Sequence, residues 1–174
     1  WINRILFLKL LEAQMLKYHN GKLCYKFLTI KKIRDFDDLN TLFFQVLARN
    51  FEHRTPSILK NFEYVPYLNS SLFEVTELES DTIKINSLSQ REELPLLPSS
   101  VLKNKKGNLK VDSLPTLGYL FAFLDSYNFA SEGSEEVQEE AKTLINASVL
   151  GLIFEKINGH KDGSVFTPGI ITMY

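Results

Sequence analysis

The chain has 174 residues, 44% of them hydrophobic, so it is long enough to bury a core as one domain. Its 20 Lys and Arg residues nearly balance its 21 Asp and Glu residues, which excludes a protein that grips nucleic acid through a global positive charge. The single cysteine, Cys24, excludes an internal disulfide, and no apolar run approaches the roughly 20 residues of a membrane span. We therefore expect a soluble, cytoplasmic protein without a membrane segment.

The N-terminal third shows the spacing of amphipathic helices. Apolar residues recur at helical intervals from Ile2 to His19, and Asn20-Gly21 supplies a stop. A second helix is predicted from about Asp37 to Ala48, with acidic residues at its start. Thr55-Pro56 places an N-cap oxygen before a proline at the first helical position, which predicts a short helix ending near Phe62.

The pattern changes between about residues 64 and 112. In the stretch DTIKINSL, alternation predicts a strand in which Ile83 and Ile85 point the same way. The turn-forming stretch KNKKGNLK, between Leu102 and Val111, predicts a β-hairpin. We interpret this part of the chain as a small β-hairpin and irregular insert.

Helices are predicted again in the last third. One runs from about Thr116 to Tyr127, and another region begins with glutamates near Ser134 and ends at Asn158-Gly159. The sequence thus predicts a mainly α fold, with a helical domain over residues 1–160 and the insert at about 64–112.

The residues that carry chemistry form no complete catalytic or metal-binding pattern by spacing alone. The three histidines lack metal-ligand spacing, and Cys24 is interpreted as a small buried hydrophobe. The lysines of the predicted hairpin turn, Lys103, Lys105 and Lys106, are candidates for weak contacts with DNA phosphates, or form a solvated hairpin tip.

A second candidate site is Gly163-Ser164-Val165-Phe166-Thr167-Pro168, which reads as the start of a helix. The free N–H groups of a helix N-terminus suit a carboxylate, and Phe166 would supply an apolar wall. The alternative is a plain capped helix, as at Thr55-Pro56.

Four segments, in this order, resemble the middle region of Eco57I-like (type IIG) restriction–modification proteins. They are VPYLNSSLFE (65–74), YLFAFLDSYNF (119–129), NASVLGLIFEKI (146–157) and GSVFTPGIITMY (163–174). The last is similar to motif X, which in that family contributes to the S-adenosylmethionine pocket of the adenine-specific DNA methyltransferase domain. The resemblance implies that residues 161–174 begin this domain and that Phe166, Thr167 and Pro168 bind the cofactor.

The same resemblance implies that the chain is an interior piece of a longer enzyme that methylates and cleaves DNA. The Asn-Pro-Pro-Tyr loop that holds the target adenine in the family does not occur in the sequence, so we expect this helical connector to be non-catalytic. Its expected partners are DNA, through the longer protein, and the remaining domains of the same chain. The alternative is a free-standing helical protein-interaction module without a cofactor.

Overall fold

The computed structural model describes residues 1–68, 71–90, 92–104 and 106–129, together with Ile145 and Leu152. The described residues form five α-helices, which are α1 (Ile2–Tyr18), α2 (Phe36–Thr41), α3 (Pro56–Phe62), α4 (Glu77–Asp81) and α5 (Thr116–Leu124). Two short strands, β1 (Glu93–Pro95) and β2 (Ser113–Pro115), pair antiparallel, with Leu94 opposite Leu114. Single 3₁₀ turns lie at Leu23–Tyr25, Phe51–His53, Ser71–Phe73 and Ile85–Ser87. This architecture confirms the predicted fold class, a mainly helical protein with a small β element.

Helix α1 ends where the sequence places its stop. Asn20 has φ 53° and Gly21 has φ 74°, so two successive residues adopt the left-handed conformation. The Gly21 N–H donates to the Leu16 carbonyl at 2.7 Å, which satisfies one of the free carbonyls of the last turn.

Helix α2 begins with a side-chain cap and continues in a different helical form. The Asp35 carboxylate accepts a 2.9 Å hydrogen bond from the Asp38 N–H, and from Leu42 to Leu47 the chain forms a π-helix. The predicted helix over 37–48 is therefore confirmed in position, but its π-helical half was not predicted. The π-helix carries four buried apolar residues, Leu42, Phe43, Val46 and Leu47.

Helix α3 confirms the helix predicted after Thr55-Pro56, with proline in its first turn. The Thr55 side chain makes no capping hydrogen bond, however. The other end is held by the buried Arg54 guanidinium, whose Nη1 donates to the Val65 carbonyl at 2.8 Å. Backbone carbonyls at the end of a helix have no partner within the helix, and they commonly accept hydrogen bonds from nearby side chains such as arginine.

The strand predicted around Ile83 and Ile85 is wrong. Ile83 is 56% exposed and Ile85 only 3%, and the segment forms the end of α4 followed by a 3₁₀ turn. A capping box between Thr76 and Glu79 starts α4, which ends at Asp81 and therefore stops before Ile83. Among the described residues the sheet consists of β1 and β2, so the segment around Ile83 has no strand to pair with.

The predicted hairpin forms around the lysine-rich turn. Lys103 and Leu109 make an antiparallel bridge, and Gly107 has φ 81° within the turn. Further from the turn, the Leu96 N–H donates to the Asp112 carbonyl at 2.8 Å, and β1 and β2 pair beyond it. The regular strand pairing of β1 with β2 is therefore further from the turn than the single Lys103–Leu109 bridge.

One hydrophobic cluster unites α1, α2, α3 and α5, whereas α4 contributes no residue to it. Its fully buried apolar members include Leu8, Phe27, Leu28, Ile33, Leu39, Phe43, Phe73 and Leu117. Apart from Ile145 and Leu152, the helical stretch predicted from Ser134 to Gly159 lies outside the described residues, as does the domain start predicted at 161–174.

Candidate functional site

A buried carboxylate on α1 organises the region where three parts of the chain meet. Glu12 is 0% exposed. Its Oε2 accepts hydrogen bonds from the backbone N–H groups of Phe27 at 2.8 Å and Leu28 at 2.6 Å. Its Oε1 accepts from the Lys9 Nζ at 2.8 Å. Because a buried charge is tolerated only when it is paired and hydrogen-bonded, these contacts explain why glutamate can occupy this position.

Asp125, at the end of α5, extends this arrangement into a network of four charges. The Lys9 Nζ donates to Asp125 Oδ1 at 2.5 Å, and the Lys26 Nζ donates to Asp125 Oδ2 at 2.6 Å. The network of Lys9, Glu12, Lys26 and Asp125 therefore ties α1, the 23–28 segment and α5 together.

The two central members stay charged near neutral pH. Burial alone lowers the pKa of Lys9, but the Glu12 and Asp125 carboxylates outweigh it and raise that pKa above its usual value. Burial alone raises the pKa of Asp125, but the hydrogen bonds from Lys26 and Lys9 hold it below its usual value. Both shifts favour the ionised pair.

The network borders a cleft of about 1190 Å³. The described residues that line it come from α1, the 23–28 segment, the 101–114 hairpin, and α5 with the residues after it: Lys9, Glu12, Ala13, Leu16, Lys26, Val101, Leu102, Lys103, Asn104, Lys110, Val111, Leu114, Ala122, Asp125, Ser126, Tyr127, Asn128 and Phe129. Four lysines and two carboxylates among them leave two positive charges. The lining is therefore suited to a negatively charged neighbour.

The lysines predicted to contact DNA divide between two environments. Lys103 is exposed and lines the cleft, next to Lys110. Lys106 is exposed at the turn, where its backbone N–H donates to the Asn104 side chain at 2.9 Å. Lys105 lies outside the described residues. The structure thus joins Lys103, but not Lys106, to the cleft.

The predicted cofactor residues, Phe166, Thr167 and Pro168, also lie outside the described residues. Their assignment to S-adenosylmethionine remains a prediction from the resemblance. The interpretation of Cys24 as a buried hydrophobe is wrong, because its thiol is exposed in the 3₁₀ turn after α1. This short turn contributes no buried residue.

Sequence reasoning missed the charge network, although α1 contained one signal for it. Lys9 and Glu12, spaced i and i+3, interrupt a helix whose apolar stripe is wide enough to be buried on most sides. Charged residues within a buried apolar stripe indicate that they form a buried ion pair. Their partners Lys26 and Asp125 cannot be identified from local spacing.

The network is arranged to hold the fold together. Each oxygen of Glu12 and Asp125 already accepts a hydrogen bond from the protein. A general acid or base needs a free oxygen within reach of substrate. Within the described ranges, no three or more His, Cys, Asp or Glu side chains gather as a metal site would require.

Comparison with known proteins identifies a family. The model of the family described as "Domain of unknown function (DUF7814)" matches residues 1–145, and the chain belongs to this family. No curated protein and no solved structure matches the chain. In the part of the chain that the structure describes, no helix combines the length and apolar character needed to cross a membrane.

Proposed function

We propose that this member of the DUF7814 family is the non-catalytic helical domain of a cytoplasmic restriction–modification enzyme. In that enzyme it would precede an adenine-specific DNA methyltransferase domain that uses S-adenosylmethionine. The longer protein would methylate and cleave DNA. The helical domain would hold the neighbouring domains of the same chain in a fixed relationship.

The observation that carries the proposal is the position of the segments that resemble those enzymes. In the first segment, Val65 and Phe73 are fully or almost fully buried. In the second, Phe121, Leu124 and Phe129 are buried, and Asp125 joins the charge network. In both segments, the apolar residues that resemble those enzymes serve packing rather than chemistry. This supports a structural domain.

The charge network supports the same role. It links the first helix to the end of α5 through paired, hydrogen-bonded charges, so these elements are held in one arrangement. A domain that positions a catalytic neighbour needs such a rigid frame. Contact with DNA would be weak and electrostatic, through Lys103, Lys105 and Lys106.

The proposal is tested in the gene and in the protein. The coding sequence beyond Tyr174 should encode an Asn-Pro-Pro-Tyr-like motif within the length of a catalytic domain. Purified chain 1–174 should transfer no labelled methyl group to DNA, whereas the longer protein should do so with S-adenosylmethionine. Absence of the motif, or methylation by the 174-residue chain, would overturn the proposal.

A second candidate is a free-standing protein-interaction module without a cofactor. The observation in its favour is the exposed apolar surface of α4 and its neighbours, where Val75, Leu78 and Ile83 are all more than half exposed. Exposed apolar patches of this kind often mark protein contacts. The gene again discriminates, because a free-standing module would not be followed by a methyltransferase domain.

A further inference from the structure

A row of aromatic rings lies on the surface where α1 ends. The rings of Tyr18 and His19 meet edge to face with centroids 5.0 Å apart. His19 stacks on Tyr25 at 3.6 Å with 2° between the ring planes. Tyr25 in turn meets the edge of Tyr64 at 5.5 Å. Tyr18, at the outer end of the row, is 83% exposed. Its ring is therefore open to a further stacking partner.

Positive charge is concentrated along the same part of the chain. The 18 residues from 17 to 34 contain no Asp or Glu and six of the 20 Lys and Arg residues: Lys17, Lys22, Lys26, Lys31, Lys32 and Arg34. This local excess contrasts with the net charge of −1 of the whole chain. Among the six, Lys26 pairs with Asp125 and Arg34 with Asp38.

Hydrogen bonds place Lys22 and Lys32 beside the rings. The Lys22 N–H donates to the His19 carbonyl at 3.2 Å, and the Tyr25 N–H donates to the Lys22 carbonyl at 3.1 Å, so Lys22 lies between two members of the row. The Lys32 Nζ donates to the Tyr64 hydroxyl and lies 4.4 Å from the centroid of that ring. Lys17 directly precedes Tyr18, and Lys31 directly precedes Lys32.

We infer that this basic-aromatic surface, formed by Tyr18, His19, Tyr25 and Tyr64 with Lys17, Lys22, Lys31 and Lys32, binds single-stranded nucleic acid. Proteins that bind single strands combine lysines that follow the phosphates with aromatic rings on which bases stack. The exposed face of Tyr18 accepts a base, and Lys17, Lys22 and Lys31 contact phosphates. A duplex would hide its base faces from the rings. This inference does not depend on the proposed function, since it uses only contacts within residues 17–64.

Single-stranded nucleic acid fits the surface better than an anionic membrane does. The row consists of tyrosine and histidine, whose rings carry polar groups, and its central pair is already stacked in the manner of neighbouring bases. Membrane-surface segments instead present a continuous apolar face. The acidic neighbour Glu63 lies beside Tyr64, so the positive charge is strongest toward the Tyr18 end.

The test is binding of fluorescent oligo(dT) to the 174-residue chain, measured by anisotropy at several salt concentrations. Three phosphate contacts predict a log–log slope of about −2, which is a roughly 20-fold loss of affinity between about 50 and 200 mM salt. Lys22→Ala should reduce the slope by about 0.7, whereas Lys84→Ala, which removes an exposed lysine elsewhere, should leave it unchanged.

Variants of Tyr18 separate stacking from charge. Tyr18→Ala should weaken binding about 5- to 150-fold, because one base loses its aromatic partner. Tyr18→Phe keeps the ring and should retain the affinity of the unmodified chain. Since Tyr18 is exposed, neither change should alter the melting temperature, and the comparison is independent of folding.

The reactivity of Cys24 reports where the oligonucleotide binds. It is the only cysteine of the chain, it is exposed, and its carbonyl accepts a 2.9 Å hydrogen bond from the Lys32 Nζ. Oligo(dT) should therefore slow the reaction of its thiol with a chromogenic disulfide reagent. The inference is overturned if Tyr18→Ala binds as well as the unmodified chain, or if oligo(dT) binds without protecting Cys24. Binding of phosphatidylserine vesicles in preference to oligo(dT) would also overturn it.

Discussion

Arg4 of α1 binds both carboxylate oxygens of Glu79, which lies 75 residues further along the chain. The same guanidinium donates to the carbonyls of Leu72 and Glu74, and its carbon lies 5.1 Å from the centroid of the Phe44 ring. One buried arginine thus fixes the whole 72–79 segment against the first helix.

Replacing this arginine should be costly. Arg4→Ala removes the ionic partner of the Glu79 carboxylate and the donor of two carbonyls, and loss of one partner of a buried ion pair costs about 3–5 kcal/mol of the free energy of unfolding. Urea denaturation measures the change. The matched control is Arg34→Ala, which removes an exposed partner of Asp38 and should change stability little. Equal losses in the two variants would contradict a special role for Arg4.

The same ion pair should make stability depend on pH. The hydrogen bond from Arg4, together with those from Thr76 and Trp1, lowers the pKa of Glu79 to about 2 from an ordinary value of 4.5. The unfolded chain therefore binds a proton at a higher pH than the folded chain, so the contribution is present above pH 4.5 and is lost as the pH falls toward 2. Because Glu79 is partly exposed to solvent, the size of this contribution is below the roughly 3 kcal/mol to which the full pKa shift corresponds.

Denaturation of the unmodified chain and of Glu79→Gln at a series of pH values isolates this contribution. The difference between the two free energies of unfolding should be constant from neutral pH to about pH 5 and vanish near pH 2. A difference that does not change with pH would show that Glu79 acts only through its shape and packing.

Glu12 should be the most sensitive carboxylate of the charge network. Glu12→Ala removes the acceptor of the Phe27 and Leu28 N–H groups and leaves Lys9 with one counter-charge instead of two. We expect a loss of about 3–5 kcal/mol in the free energy of unfolding, measured by urea denaturation. Glu63→Ala, at an exposed position, is the control and should change stability by less than about 0.5 kcal/mol.

Gly21 should tolerate asparagine better than alanine. A Cβ at Gly21 would meet no atom within 4 Å, so the cost of substitution comes from its φ of 74° alone. Gly21→Ala should lower the free energy of unfolding by about 1–2 kcal/mol, whereas Gly21→Asn should lose clearly less, because asparagine adopts this conformation more readily. Thermal melts of both variants measure the difference, and equal losses would be the contrary result.

The predicted cofactor site is tested by a pair of threonines in the longer protein. Thr167→Ala should weaken S-adenosylmethionine binding about 10- to 100-fold, as loss of a hydrogen bond to a charged group would. Thr55→Ala should leave it unchanged and cost little stability, since the Thr55 side chain makes no cap bond. Calorimetry that gives equal cofactor affinities for the two variants would exclude Thr167 from the pocket.

Local sequence patterns predicted the helices whose first and last residues are determined by adjacent glycine or proline residues. Asn20-Gly21 ends α1 and Pro56 begins α3, and both boundaries were predicted to within one residue. The helix predicted from Thr116 begins there and ends at Leu124, three residues earlier than expected. These features depend on backbone conformation, which glycine and proline constrain directly.

The remaining features depend on contacts between distant residues. Lys26 pairs with Asp125, 99 residues away, and no spacing rule connects them. Cys24 lies in a 3₁₀ turn that contributes no buried residue, whereas Phe27, just after the turn, is fully buried. Hydrophobicity alone does not predict which of these neighbouring residues is buried. The alternation around Ile83 was misleading because, among the described residues, the sheet consists of β1 and β2 and this segment has no strand to pair with.

The network around α1 also has a consequence for how the protein is made. Lys9 leaves the ribosome well before its second counter-charge, Asp125, which is synthesised 116 residues later. Until then, Lys9 has only Glu12 as an ionic partner and the apolar side of α1 has no α5 beside it. Domains tend to fold as units during synthesis. Helix α1 thus receives part of its charge pairing from residues synthesised much later, and chains terminated before Asp125 should be targets for chaperones and proteases.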